Sequence, residues 1–254
     1  MIICKWEELP KKMQNSSVRY YYDILAEKKF NLFVKRCFDI VVSSIMLILL
    51  SPVFLVIAIA IKLDSDGPVF YRQERITQYG EKYRIFKFRT MVVDADKYSK
   101  ITVSNDSRVT RVGNKIRKHR LDEICQLIDI FRGKMSFVGT RPEVEKYVKA
   151  YDEKMLATLL LPAGVTSEAS IYYKDESKLL DNCDDIDKAY IEKVLPGKMY
   201  YNLREIENFS FFHDIKIMFM TVFAVLGKEY TGEYSESLGD NFEIMPVEDK
   251  ERAR

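Results

Sequence analysis

Histidine and tryptophan are nearly missing from this chain, with two of the first and one of the second in 254 residues. The four cysteines, Cys4, Cys37, Cys125 and Cys183, are scattered and form no CxxC pair. With only His119 and His213 beside them, no zinc site is expected, and reduced thiols of a cytosolic compartment are. Neither a Walker A loop nor a dinucleotide fingerprint occurs, so a glycine-rich phosphate loop is not the device here. No internal repeat is found. The amino-terminal stretch offers Glu7, Glu8 and a Lys-rich run where a signal peptide needs a short apolar core, so none is expected. An excess of one charge is also lacking, the formal net charge being +2. A mean hydropathy of -0.19 with 47% hydrophobic residues suits an ordinary water-facing chain with enough apolar side chains for one core.

One stretch departs from that composition. Ile40–Ile61 runs for about 22 residues without a charge, long enough to cross a bilayer as a helix. Ser51-Pro52 stands near its midpoint, where proline costs an ordinary helix about 3 kcal/mol. Lys28, Lys29, Lys35 and Arg36 precede the run, and Lys62, Arg72, Arg75, Lys82 and Arg84 close and follow it. Basic flanks stay on the cytoplasmic side of a membrane, and here both flanks qualify. A spanning helix has to export one of them, whereas a helix–break–helix that enters and turns back keeps both inside. Each arm would be about 11 residues, roughly 16 Å, or half the hydrocarbon core. Ser51 can bond back along the helix to serve the backbone groups freed at the break. A kinked single span is the alternative, because transmembrane helices tolerate proline.

Charge is unevenly spread. Lys62–Arg120 holds about 15 Lys/Arg against about 7 Asp/Glu, and Leu121–Glu192 about 9 against about 15. A basic stretch after a membrane segment suits anionic lipid headgroups or phosphorylated ligands, with a solvated surface as the alternative. It carries no recognition-helix or stacking motif, so no nucleic acid is expected as a partner. Met1–Lys29 reads as polar and partly helical, with Tyr20, Tyr21, Tyr22, Ile24 and Leu25 as its apolar cluster. Pro68–Arg72 and Lys82–Arg89 read as two strands of a hairpin around Gln78-Tyr79-Gly80. Alternation puts Tyr83, Ile85, Lys87 and Arg89 on one face and Phe86 and Phe88 on the other. Lys115–Phe131 reads as one amphipathic helix burying Ile116, Ile124, Leu127, Ile128 and Phe131. A break is expected at Leu156–Gly164 and an acidic helix over Asp175–Val194. Phe209–Leu226, interrupted by His213, Asp214 and Lys216, is too short to span and reads either as a helix in the interface plane or as a core helix. Lys228–Arg254 reads as a flexible tail.

Chemistry concentrates in RVTRVGNKIRKHRLDEICQLIDIFRGKMSFVGTRP, Arg108–Pro142. Asp122 and Glu123 follow Arg117, Lys118, His119 and Arg120. Adjacent residues on a helix diverge by about 100°, so the two carboxylates can touch one divalent cation from different sides or divide nucleophile and ligand roles. Nearby arginine and lysine keep both ionised and can hold phosphate oxygens. A carboxylate beside Mg²⁺ and a phosphate cradle is a workable nucleophile for phosphoryl transfer. The Gly139-Thr140-Arg141-Pro142 turn can present Arg141 as a phosphate clamp. On the residues alone, a solvated ion-pair surface is the commoner use of such a stretch.

The order KRCFDIVVSSIMLILLSP, KFRTM, RLDEICQL and GKMSFVGTRP resembles the bacterial sugar transferases, the monotopic polyprenyl-phosphate phosphoglycosyl transferases, over about Phe33 to Leu226. The resemblance implies transfer of a phosphosugar from a nucleoside-diphosphate sugar, usually a UDP-sugar, to a polyprenyl phosphate such as undecaprenyl phosphate, with release of the nucleoside monophosphate. It implies a re-entrant helix broken at Ser51-Pro52 and a catalytic dyad at Asp122 and Glu123, with Asp122 forming an aspartyl-phosphosugar. It implies Mg²⁺ as cofactor, held by Asp122 and Glu123, and donor or phosphate contacts at Lys87, Arg89, Arg117 and Arg141. The role would be the first membrane step of capsule, O-antigen or exopolysaccharide synthesis, with downstream glycosyltransferases as further partners. The place would be the cytoplasmic face of the bacterial inner membrane, among anionic lipids.

The fold class implied is α+β, mainly helical: a monotopic membrane protein with a cytosolic catalytic domain containing a small β-hairpin. Its expected parts are a polar segment 1–34, the re-entrant helix 35–62, the catalytic domain 63–227 with interfacial helices, and the tail 228–254. Four departures from the family's pattern stand out. Lys134 replaces the aspartate of GDMS and reverses a charge, Thr140 replaces the first proline of PRP, and Cys125 replaces a common Pro or Leu. LLLPAGVTSEASI differs from PGITGLAQV, a difference that can touch donor choice. The charge reversal at Lys134 is the best support for a different reading, a catalytically weak membrane-anchored scaffold for glycan-assembly enzymes.

Overall fold

Tyr21, Leu25 and Val18 lie one helical turn or two apart, and a helix that starts at Ser16 brings all three onto one face. The computed structural model describes residues 3–93, 95, 108–174, 176, 180 and 185–230. In it α1 (Ser16–Glu27) begins where the Asn15 side chain accepts the Val18 amide, and it buries those three residues. They pack with Leu32, Ala157, Leu160 and Leu203, together with Ile3, Leu9 and Met13 from the segment before α1. Each such side chain contributes about 1.5–3 kcal/mol of burial, so the amino-terminal stretch is part of a core despite its polar composition.

α2 (Lys29–Leu49) and α3 (Ser51–Asp64) are bent by 60° at Leu50. Pro52, in the first turn of α3, has no N–H for the Ile48 carbonyl four residues back. The Ser51 hydroxyl donates to that carbonyl at 2.8 Å, as expected of it. Among the described residues no single helix is long and apolar enough to cross a membrane, but the bent pair has the length and composition together. Its outer side leaves Ile45, Ile48, Leu49, Leu55, Val56 and Ile59 exposed.

β1 (Phe70–Ile76) pairs antiparallel with β2 (Lys82–Phe88), in register from Phe70 opposite Phe88 to Ile76 opposite Lys82. The first strand is longer than its apolar start suggested. Its charged half, Arg72 to Arg75, is held by the ladder to Phe86–Tyr83. The expected alternation in β2 is observed. Tyr83 and Ile85 pack with Leu127, Ile130 and Met135, while Phe88, with Phe86 against it, packs with Ile57, Ile61 and Phe54. The hairpin is thus wedged between α3 and the segment that carries the dyad.

That segment is not the single helix that its periodicity suggested. α4 (Arg111–Lys118) stops, Leu121–Glu123 forms one 3₁₀ turn, and α5 (Gln126–Phe131) begins afresh. Arg120 stands between them with φ 53° and ψ 23°, a left-handed conformation no right-handed helix can continue through. Ile116 and Leu127 are buried as expected, whereas Phe131 is exposed.

β3 (Met135–Val138) pairs in parallel with β4 (Ala163–Thr166). Between them lie α6 (Glu145–Val148) and a 3₁₀ turn at Met155–Leu160, at the expected break. α7 (Glu168–Tyr172) follows β4, and α8 (Ile186–Ala189) leads through a π-helical turn, Tyr190–Val194, into α9 (Leu195–Glu207). Most of the rest of the expected acidic helix, and the tail beyond Tyr230, fall on residues outside those described. α10 (Phe211–Val225) buries Asp214 and Ile217 and lies against α2, with Phe211 edge-on to Phe38. Its other side exposes Phe212, Phe219, Val222 and Phe223. Over the described residues the fold is mainly helical with two small sheets, one of them the expected hairpin.

Candidate active site

Because Leu121–Glu123 is a single turn between two short helices, the dyad's position depends on what grips it from outside. Lys87 reaches it from β2 and donates to Glu123 Oε1 at 2.8 Å. Arg141, from the loop after β3, donates to the same oxygen at 2.7 Å. Burial alone would raise the Glu123 carboxyl, but the charges of Arg141 and Lys87 outweigh it and hold Glu123 well below the ordinary carboxylate range. Asp122 is treated oppositely. Burial first, and then the charge of Glu123, raise its carboxyl above the usual value, while Lys87 and Arg117 pull less strongly the other way. Asp122 has no ion-pair partner among the described residues. Two adjacent carboxylates whose environments push their proton affinities apart are suited to two different roles.

The Arg141 loop is held on every side. Gly139 donates its amide to Thr166 O at 2.9 Å, and Thr140 O accepts from Gly164 at 2.8 Å. A side chain on Gly164 would stand 2.2 Å from the Gly139 backbone, so β3 and β4 can meet here only through glycine. Arg75 donates to Pro142 O at 3.1 Å, and the Ile76 amide to Glu143 O at 2.9 Å. The Glu143 carboxylate accepts from Tyr190 and Lys198, which ties the loop to α9.

Of the residues picked from the sequence, Lys87 and Arg141 are thus brought directly onto the dyad, and Arg117 is near enough to act on Asp122 by its charge. Arg89 is not joined to it by any bond among the described residues. Its guanidinium donates to the carbonyls of Ser65 and Asp66, fastening the end of α3 to β2. Ser51 and Pro52 sit at the α2–α3 bend. Lys134 donates to Glu81 in a half-exposed pair near the hairpin turn, so its reversed charge is answered there.

Sequence reasoning treated Lys35 and Arg36 only as a basic flank and passed over Asp39. In the structure Lys35, 3% exposed, donates to Val138 O at 2.8 Å and pairs with Asp214 of α10. Arg36 donates to the carbonyls of Ile130 and Phe131, capping the carboxyl end of α5. Asp39 accepts from the Ser136 hydroxyl and the Phe137 amide. These contacts rivet the apolar helix to the strand and helix that flank the dyad. The signal available was the i, i+4 spacing of Lys35 and Asp39, which puts them on one face.

For a metal, the described residues contain no cluster of three or more His, Cys, Asp or Glu. Two carboxylates are what the protein itself can offer. Mg²⁺ is commonly held by one or two carboxylates with water and substrate phosphates completing an octahedron, so the donor set fits that ion and fits zinc poorly.

A desolvated carboxylate beside a second one held by lysine and arginine is an arrangement that can serve group transfer by carboxylate chemistry. The chain belongs to the bacterial sugar transferase family, whose sequence profile matches residues 30–228. It is 38% identical over 199 residues to the UDP-glucose:undecaprenyl-phosphate glucose-1-phosphate transferase of Escherichia coli, covering 76% of this chain and 40% of that protein. It is 33% identical over 198 residues to the UDP-N-acetylgalactosamine-undecaprenyl-phosphate N-acetylgalactosaminephosphotransferase of Aeromonas hydrophila, covering 76% of this chain and 44% of that protein. With the exopolysaccharide production protein ExoY of Rhizobium meliloti it shares 34% identity over 207 residues, 75% of this chain and 84% of the relative. The chain therefore spans less than half the length of the first two relatives and most of the third.

Proposed function

We propose that this chain moves a phosphosugar from a nucleoside-diphosphate sugar, with UDP as the carrier, to undecaprenyl phosphate or a similar polyprenyl phosphate. The observation that carries the reading is the opposite treatment of the two carboxylates, with Glu123 held anionic by Lys87 and Arg141 and Asp122 left unpaired beside it. The names of the relatives supply the substrate classes. An Asp122 oxygen attacks the sugar-bearing phosphorus, a P–O bond forms, and the bond to the nucleoside monophosphate breaks. The polyprenyl phosphate oxygen then attacks the same phosphorus and displaces Asp122, which leaves unchanged. Splitting the transfer lets a soluble donor and a lipid acceptor use one carboxylate in turn. Mg²⁺, held by Asp122 and Glu123, would supply the positive charge that two carboxylates and several phosphates otherwise lack. The pairing of Lys134 with Glu81 near the hairpin turn weighs for the transferase reading over a scaffold.

The test is a panel of nucleotide sugars with undecaprenyl phosphate in detergent, reading release of nucleoside monophosphate. Release is expected with at least one UDP-sugar and silence with EDTA, reversed by added Mg²⁺. Full activity under thorough chelation would leave charge neutralisation to arginine and lysine alone.

The bent pair α2–α3 is the membrane element in this reading, entering from the cytoplasmic face of the inner membrane among anionic lipids and returning there. The exposed apolar side of α10 lies beside it in the interface. Cysteine probes near Lys29 and near Asp66 are expected to be shielded from an impermeant reagent in intact cells and labelled after lysis. Ser51→Leu with Pro52→Leu restores an unbroken helix of spanning length and should carry part of the population's amino termini across. A wild-type amino terminus that labels from outside would make the segment a true span.

A further inference from the structure

Arg120 holds a backbone conformation that glycine adopts freely and an arginine does not. Among the described residues the only other non-glycine of this kind is Tyr79, whose hydroxyl accepts the Cys4 amide and whose ring packs on a core cluster. Arg120 has no such compensation. Its side chain is exposed and makes no ion pair or hydrogen bond among the described residues, two positions before Asp122. Lys87 and Arg141 are already paired with Glu123. Lys87, Arg141 and Arg117 set three positive charges against the two negative ones of Asp122 and Glu123. A nucleoside diphosphate arriving there adds at least two further negative charges.

We infer that the Arg120 guanidinium is a phosphate clamp for the diphosphate of the nucleotide-sugar donor. This rests on the transfer reaction proposed above and adds a donor-binding residue to it. A fork of N–H donors at the end of a flexible stem suits paired phosphate oxygens better than a lysine does. The left-handed turn that ends α4 is tolerated with an arginine in it because that side chain is needed next to Asp122.

The test measures UDP binding by calorimetry, with Mg²⁺ present, on the full chain in detergent, together with thermal unfolding and steady-state kinetics. Arg120→Gly suits the backbone and removes the side chain, and Arg120→Asn is a second neutral residue that accepts the conformation. Both should bind UDP about tenfold more weakly and raise KM for the donor with kcat little changed, while Tm stays level or rises. Arg120→Lys should recover part of the affinity. UDP binding by both neutral variants equal to wild type would overturn the clamp and leave the transfer reaction standing. A wild-type protein that neither binds UDP nor releases nucleoside monophosphate from any donor would overturn both.

Discussion

Replacing Asp122 with Asn is expected to abolish turnover while the protein still folds. The amide is nearly isosteric and keeps the turn, but it has no anionic oxygen to form a bond to phosphorus. In other covalent catalysts, loss of the nucleophile costs on the order of 10⁴-fold or more. Incubating wild type with donor labelled in the sugar, without acceptor, should leave label on the protein, and Asp122→Asn should carry none. Glu123→Gln should slow the reaction and retain a remnant, because it leaves Lys87 and Arg141 with a neutral partner. Normal transfer by Asp122→Asn would remove the covalent route. The pH dependence follows from the same pair. Asp122 attacks as the anion, and burial with the Glu123 charge raises its carboxyl above the usual 3.8, so activity should fail in acid earlier than for a solvated aspartate. Glu123 has a folded value below its unfolded 4.5. Its contribution to stability is present above the unfolded value and disappears only as pH falls through the lower folded one. Acid should therefore silence this site before it loosens it.

Replacing Lys35 with Met should give the largest loss of stability. Lys35 and Asp214 are a buried pair, 4% and 10% exposed in their side chains, and Lys35 also serves Val138 O. Removing one member leaves a buried charge without a partner, which costs about 3–5 kcal/mol out of the roughly 5–15 that hold a domain together. Other acids nearby make the loss harder to absorb. Burial pushes the Glu205 carboxyl up to about 8; Glu168 and Asp214 add to that, and Lys35 opposes it. Thermal unfolding in detergent should show a fall of several degrees or more for Lys35→Met. Lys35→Met with Asp214→Leu should recover much of it, because apolar residues can replace a buried ion pair at little cost. A single mutant that melts with wild type would mean the pair does not hold α2 to α10.

What was legible around the candidate site is what is local in the chain. Asp122 and Glu123 are adjacent, and period two in β2 told which face Lys87 would share with Tyr83 and Ile85. Ser51-Pro52 marked the bend because proline lacks a donor wherever it stands. The helix reading of Lys115–Phe131 failed at one residue. Nothing in an arginine's own preferences announces a left-handed conformation, and the apolar spacing on either side of it stayed helical.

What the chain determines by itself is the break in the apolar run and the hairpin, since each follows from backbone chemistry or alternation over a few neighbouring residues; Asp122 and Glu123 were singled out only through the resemblance of their motif to a family. Tertiary structure alone decided the rest. It turned Lys35 and Arg36 from a membrane flank, and Asp39 from an unremarked residue, into rivets 94 to 179 positions away from their partners. It sent Arg89 to the end of α3, paired Lys134 with Glu81, and gave Glu123 both of its cations. A side chain's partner is chosen by which surfaces must be buried together, and that choice is made between segments that carry no mark of each other in the sequence.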